Sequence, residues 1–340
     1  MAGPIGLDAM PGEVGHWKPA RTFPDHYPGD CPDHDYVLLN DRVHPLRHEG
    51  GAAFSIPGHG TELDALLTAR GLPRLEERVA VLAYGANRNP ATLRIKHDNY
   101  GYRSPNGVDL CVPVLRATLA DADVAGCGIH GQGYLYGELL LRTEYCRGTT
   151  LEARVCMVDP DQLRVLNDSE GIRRGDYRLA RIPGVRLAAL DEPITAVGYV
   201  AGARTWVSPV LGAPLGFASV PASGRRYPSM TATQSLDHVL GTLGLRADVA
   251  RITGLDDDDG LAADLAKYLN GQWWYSLNTG RRAIPGYDRV LALLRGRMSE
   301  SQLPVRTLDH LAELGDVLDA EAAYAPGRSL NWATVPPGPA

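Results

Sequence analysis

The sequence predicts an α+β protein: a curved mixed β-sheet or small barrel with flanking helices, followed by a mainly helical C-terminal region. Three observations lead there. From Val79 to about Val200, β-rich runs alternate with turn residues. Helical patterns interrupt those runs at only two places, beginning at Pro90 and at Pro160. Beyond about residue 228 the pattern changes to spaced leucines, the mark of helices.

Taken in order, residues 1 to about 57 are rich in Pro, Gly, His and Asp, and only Tyr36–Leu39 reads as a strand. Residues 61–70 form an amphipathic helix with Thr61 as N-cap and Gly71 as its stop. Strands are expected at Val79–Ala83, 112–124, 133–141, 153–158, 177–185 and 194–200. Asp159 and Pro160 cap and start the helix that runs to Asn167, and Asn89 with Pro90 do the same for the earlier one. Residues 203–228, with four prolines, read as loop; helices are expected at 235–243, 261–268, 287–294 and 308–314. The acidic run 256–259 reads as a solvated helix entry. The predicted organisation is an N-terminal arm and short helix (1–75), a central β-rich domain (76–215), a mainly helical region (216–332) and a disordered proline-rich tail (333–340).

Bulk properties narrow the function. Hydrophobic residues make up 44 % and charged residues 22 % of the chain, enough for a real core. The formal charge is 34 − 40 = −6 with no basic block, so neither nucleic acid nor a membrane surface is the expected partner. Five scattered cysteines (Cys31, Cys111, Cys127, Cys146, Cys156) form no CxxC pair, which argues against a disulfide framework or a structural zinc and for a reducing cytoplasm. The N-terminus lacks a signal-peptide pattern, and no apolar run reaches membrane-spanning length.

Two motifs carry chemistry. Tyr84-Gly85-Ala86-Asn87 closes the apolar run at 79–83, a glycine turn whose backbone N–H groups can face an anion. Some eighty residues on, Glu170 stands in a glycine-flanked turn, Ser169-Glu170-Gly171, continuing to Gly175 and Tyr177. A donor nest and one carboxylate suffice for an intramolecular acyl transfer.

The ordered set resembles the gamma-glutamylcyclotransferase-like family. Residues 82–87 are similar to its strand-end signature, usually written YGSN or YGTL, and residues 165–177 match its Glu-Gly and Gly-x-Tyr pattern in spacing and type. Residues 113–119 and 133–139 are similar to two of its other strands, so the resemblance covers about 79–215. It implies a cofactor-independent enzyme, with no metal, that acts on a small-molecule gamma-glutamyl amine or peptide and releases 5-oxoproline. Glu170 would be the catalytic general acid/base. Tyr84, Gly85, Ala86 and Asn87 would bind the substrate's carboxylate or oxyanion, and Tyr177 would line the pocket. Ala86 departs from the Ser or Thr of many relatives, and Asp168 would add a second negative charge if it faces inward. A non-catalytic binding protein with the same fold, or a related amide acyltransferase or hydrolase, stands as the alternative.

Other candidates are weaker. His34, His44 and His48 with Asp30, Asp33 and Asp35 read as solvated polar residues rather than metal ligands. Cys127 and His130 lie in a glycine-rich stretch that reads as a turn beside a pocket, more readily than as a nucleophile pair. Gln272-Trp273-Trp274-Tyr275 reads as a packing anchor.

Overall fold

The computed structural model describes residues 12–20, 22–102, 110–201, 204–281, 284–304, 311–312, 314 and 316–324. Strands β1 (Tyr36–Leu39) and β2 (Arg42–Pro45) form a hairpin, and helix α1 (Leu63–Ala69) precedes strand β3 (Val79–Ala83) and helix α2 (Pro90–Asn99). Strands β4 (Cys111–Ala120), β5 (Ala122–Ile129), β6 (Leu135–Leu141) and β7 (Thr150–Val158) follow, then helix α3 (Pro160–Ser169) and strands β8 (Tyr177–Leu187) and β9 (Ile194–Ala201). Helices α4 (Ala232–Thr242), α5 (Arg246–Thr253), α6 (Leu261–Thr279) and α7 (Pro285–Ser299) make up most of the C-terminal region.

The expected small barrel is present. Its strands run β4–β8–β9–β3–β7, and β7 pairs back onto β4 to close the ring. All neighbours are antiparallel except β9 and β3, where Val197 faces Val81 in parallel register. Strand β4 is long enough to hold β1 along residues 111–114 and β8 at Ala117 and Thr118, while its other edge carries β7. The arm expected at the N-terminus thus extends the main sheet through β1.

Period-two alternation sorts the barrel side chains. Ala80, Leu82, Leu115, Ala117, Ala153, Val155, Ala180 and Ile182 join one apolar cluster; Val79, Val81, Val112, Val114, Val158 and Leu179 join another. The second cluster also holds Ala91 and Leu93 of α2 and Leu163 and Leu166 of α3, so these helices cover the outer face. Each such leucine contributes about 1.5–3 kcal/mol by leaving water. The first cluster continues into Leu236, Val239, Leu265, Leu269, Val290 and Leu294 of the C-terminal helices.

Local signals explain the helix starts. Asp159 Oδ1 accepts the Gln162 N–H at 2.8 Å and Gln162 Oε1 accepts the Asp159 N–H at 3.1 Å, a capping box ahead of Pro160. Asn89 Oδ1 accepts the Thr92 N–H at 2.7 Å and Pro90 opens α2. Helix α1 departs from expectation: it starts at Leu63 behind Glu62, without a side-chain cap from Thr61.

The run 112–124 is two strands, not one. Asp121, with φ of 51°, turns the chain out of the barrel, and β5 enters a second sheet between β6 and the short strand Gly216–Phe217. Aspartate tolerates this left-handed conformation, so no glycine or proline marks the corner. Within the region expected as loop, Arg204–Ser208 is a strand paired with Gln302–Pro304, and α5 was not anticipated. Most of the helix expected at 308–314 and the tail at 333–340 lie outside the described residues.

Candidate active site

At one end of the barrel, β3 runs into the turn Tyr84-Gly85, followed by a single 3-10 turn, Ala86–Arg88. The amide N–H groups of Gly85, Ala86 and Asn87 meet no acceptor among the described residues, as the first residues of a helical turn must. Helix α3 ends nearby, with Glu170 as its C-cap residue. Gly171 then takes φ of 69°, and a second 3-10 turn, Ile172–Arg174, closes on Gly175 at φ of 77°. Both glycines of the second motif therefore occupy the left-handed region that favours glycine.

The two motifs meet. The Asn87 side chain donates from Nδ2 to Glu170 Oε1 at 2.9 Å. Lys96, one helical stretch later on α2, donates from Nζ to Asn87 Oδ1 at 2.7 Å and to the same Glu170 oxygen. Among the described residues Glu170 Oε2 takes no hydrogen bond. The Glu170 side chain is 16 % exposed and that of Lys96 8 %.

These groups line one cavity of about 770 Å³. Tyr84, Gly85, Ala86, Asn87, Glu170 and Tyr177 all contribute to its wall. Asp168 does not: it accepts from the Tyr324 hydroxyl at 2.7 Å and pairs with Arg164 at 3.6 Å, so no second carboxylate faces inward from that position. The Tyr84 hydroxyl donates to the Tyr199 carbonyl, which commits it to the barrel wall. Burial pushes the phenols of Tyr27, Tyr84, Tyr177 and Tyr199 well above their ordinary range, so all four stay neutral.

The opposite wall was not legible in the motifs. Tyr27 of the N-terminal segment stacks on Tyr134 with centroids 4.7 Å apart, and Tyr134 stacks on His130 at 4.8 Å. Arg295 and Met298 of α7 complete the lining, and Arg295 donates from Nε to the Ile129 carbonyl at 3.2 Å. Lys96 was missed because a buried lysine contradicts helix amphipathicity; its one signal is Thr92, four residues earlier on the same helix face and also in the wall.

The remaining candidates separate. His34 bonds Asp33 at 2.9 Å and His44 packs edge-on against His59, and among the described residues no group of three His, Cys, Asp or Glu could hold a metal. Cys127 is buried, donates to the Tyr136 carbonyl at 3.5 Å and has its thiol pushed well up by burial. His130 does reach the cavity, and Trp273 packs beside it at 5.3 Å. Among the described residues no helix is long and apolar enough to cross a membrane.

No protein-family model matches the sequence, and no curated protein matches it. Among solved structures, the chain is similar to a gamma-glutamyl cyclotransferase, at 15 % identity over 63 % of this chain and 98 % of the other, with a TM-score of 0.27. It is also similar to an uncharacterized protein from Homo sapiens, at 19 % identity over 37 % of this chain and 67 % of that one, again with a TM-score of 0.27.

Proposed function

We propose that this protein is a cyclotransferase that releases 5-oxoproline from a gamma-glutamyl amine or peptide, with Glu170 as the sole proton carrier. The observation that carries the reading is the joining of the two motifs. Asn87 belongs to the turn whose three amides meet no acceptor among the described residues, and it also grips the carboxylate of Glu170, beside a cavity of substrate size.

The chemistry needs little more. A gamma-glutamyl amide carries its own nucleophile, the α-amine, within reach of its δ-carbonyl, so ring closure is intramolecular and favoured by proximity. As the new C–N bond forms, Glu170 Oε2 takes the proton from the attacking amine. The carbonyl oxygen becomes an oxyanion, which the amides of Gly85, Ala86 and Asn87 stabilise. Collapse breaks the bond to the leaving amine, and Glu170 returns the proton to it. Lys96 and Asn87 hold Oε1, which fixes the carboxylate's orientation and leaves Oε2 for the proton transfers. The neutral Tyr177 phenol is available as a hydrogen-bond donor to the substrate.

Glu170→Gln keeps the shape and removes the base. Purified wild type, incubated with a panel of gamma-glutamyl compounds, is expected to release 5-oxoproline detectable by mass spectrometry. The variant, with an unchanged melting temperature, is expected to lose at least about 10²-fold of that rate. Equal rates in the two proteins on a genuine substrate would defeat the assignment.

A further inference from the structure

A second cavity, of about 750 Å³, lies on the outside of the barrel beneath the N-terminal segment, and four arginines line it: Arg88, Arg116, Arg154 and Arg186. Arg116 and Arg154 sit directly opposite one another on β4 and β7. Like charges in that cross-strand position repel, so the pairing costs stability unless something neutralises it. Arg186 pairs with Thr118, two residues along β4 on the same face. Four carboxylates, Asp25, Asp30, Asp33 and Glu152, line the same cavity, yet among the described residues none of them forms an ion pair with these arginines. Asp35 lies 3.5 Å from Arg116, and none of the other three arginines forms an ion pair among the described residues.

Three of these acids contact other side chains. Asp25 accepts from the Thr233 hydroxyl at 2.5 Å, Asp30 lies 3.5 Å from His26, and Asp33 bonds His34. Glu152, exposed on β7, shares the Thr118 row with Arg186. Two of the guanidinium groups also have spare donors. Arg88 gives one bond, to the Ser219 carbonyl, and Arg154 gives bonds to the carbonyls of Pro32 at 2.6 Å and Ala153 at 3.0 Å. The Nε of each is buried without a partner. Unsatisfied buried donors on charged groups are costly, and a bound acceptor removes that cost.

We infer that this cavity binds the phosphate group of a small phosphorylated ligand, held by Arg154 and Arg186 with Arg88 and Arg116 beside them. Guanidinium forks match phosphate oxygens bidentately, and a dianion with three acceptor oxygens suits a cluster of cations better than a single carboxylate does. The site is distinct from the cavity of Glu170, yet it touches the same 3-10 turn. Asn87 reaches Glu170 while the next residue, Arg88, lines the second cavity.

Isothermal titration of the full-length protein with inorganic phosphate, at ionic strength matched with chloride, tests the site. Saturable binding is expected in wild type and equally in Glu170→Gln. Arg186→Ala, an exposed position, is expected to weaken it about tenfold, the loss of one charge-assisted contact. Arg154→Lys keeps the charge, loses the fork and is expected to weaken it as well, whereas Glu152→Gln tightens it by about threefold. Heats no larger than those with chloride would overturn the inference. So would wild-type affinity in both arginine variants, and citrate binding more tightly than phosphate would overturn the choice of phosphate.

Discussion

Two glutamates near the barrel end have opposite surroundings, and their chemistry follows. Glu170 shares one oxygen with an ammonium and an amide, so Lys96→Met removes its cationic partner and leaves a largely buried carboxylate with, among the described residues, the Asn87 amide as its remaining side-chain donor. Urea unfolding is expected to show a loss of about 1–3 kcal/mol. Turnover is expected to fall too, whereas in the Glu170→Gln background the same change costs little further activity, because Lys96 acts through that carboxylate. Glu138 is fully buried, forms no ion pair among the described residues, and both its oxygens accept the Ala201 N–H, at 2.9 and 3.1 Å. Burial pushes its carboxyl well above the usual range. A raised carboxyl in the folded state means that unfolding releases a proton, so stability falls as pH rises from the unfolded value of about 4.3 towards the folded one. Glu138→Gln preserves an acceptor for Ala201 and abolishes that slope; unfolding curves of both proteins from pH 4.5 to 8 read the difference.

At the scale of elements, the turn after α3 positions Glu170 through two glycines that are not equivalent. A Cβ on Gly171 would lie 2.2 Å from Asp176 Oδ2 and 2.6 Å from Arg174 Nη2, in addition to the strain of φ at 69°. A Cβ on Gly175 would meet nothing within 4 Å, so only the left-handed conformation opposes it. Gly175→Ala is expected to cost about 1 kcal/mol and to keep most activity. Gly171→Ala meets only the movable ends of the exposed Asp176 and Arg174 side chains, so it is expected to cost about 1–2 kcal/mol, mostly from the left-handed backbone, and to disturb that ion pair; the two melting temperatures read the difference. These glycines, the Asp159 cap of α3 and the proline start of α2 were all legible in the sequence, since each is read within four or five residues. The corner at Asp121 was not, because an aspartate between two β-rich runs leaves the alternation almost unbroken.

For the whole molecule, one apolar cluster runs from the barrel interior into α4, α6 and α7, through Leu82, Val155, Leu236, Leu265 and Leu294. A chain ended after Phe217 would expose that surface, and it is expected to aggregate or to lose cooperative melting; a monodisperse product with a sharp transition would show that the barrel stands alone. The sequence by itself determined what depends on near neighbours: strand and helix periodicity, capped starts, glycine turns and the two motifs at Tyr84–Asn87 and Glu170–Tyr177. Only the tertiary structure decided the return of β7 onto β4, the grip of Asn87 and Lys96 on Glu170, the wall built by Tyr27 and Arg295, and the gathering of the four arginines. Those features join residues tens to hundreds of positions apart, and several place polar side chains where local polarity argues for solvent. Such placements become stable only when the partner that satisfies them is already folded alongside.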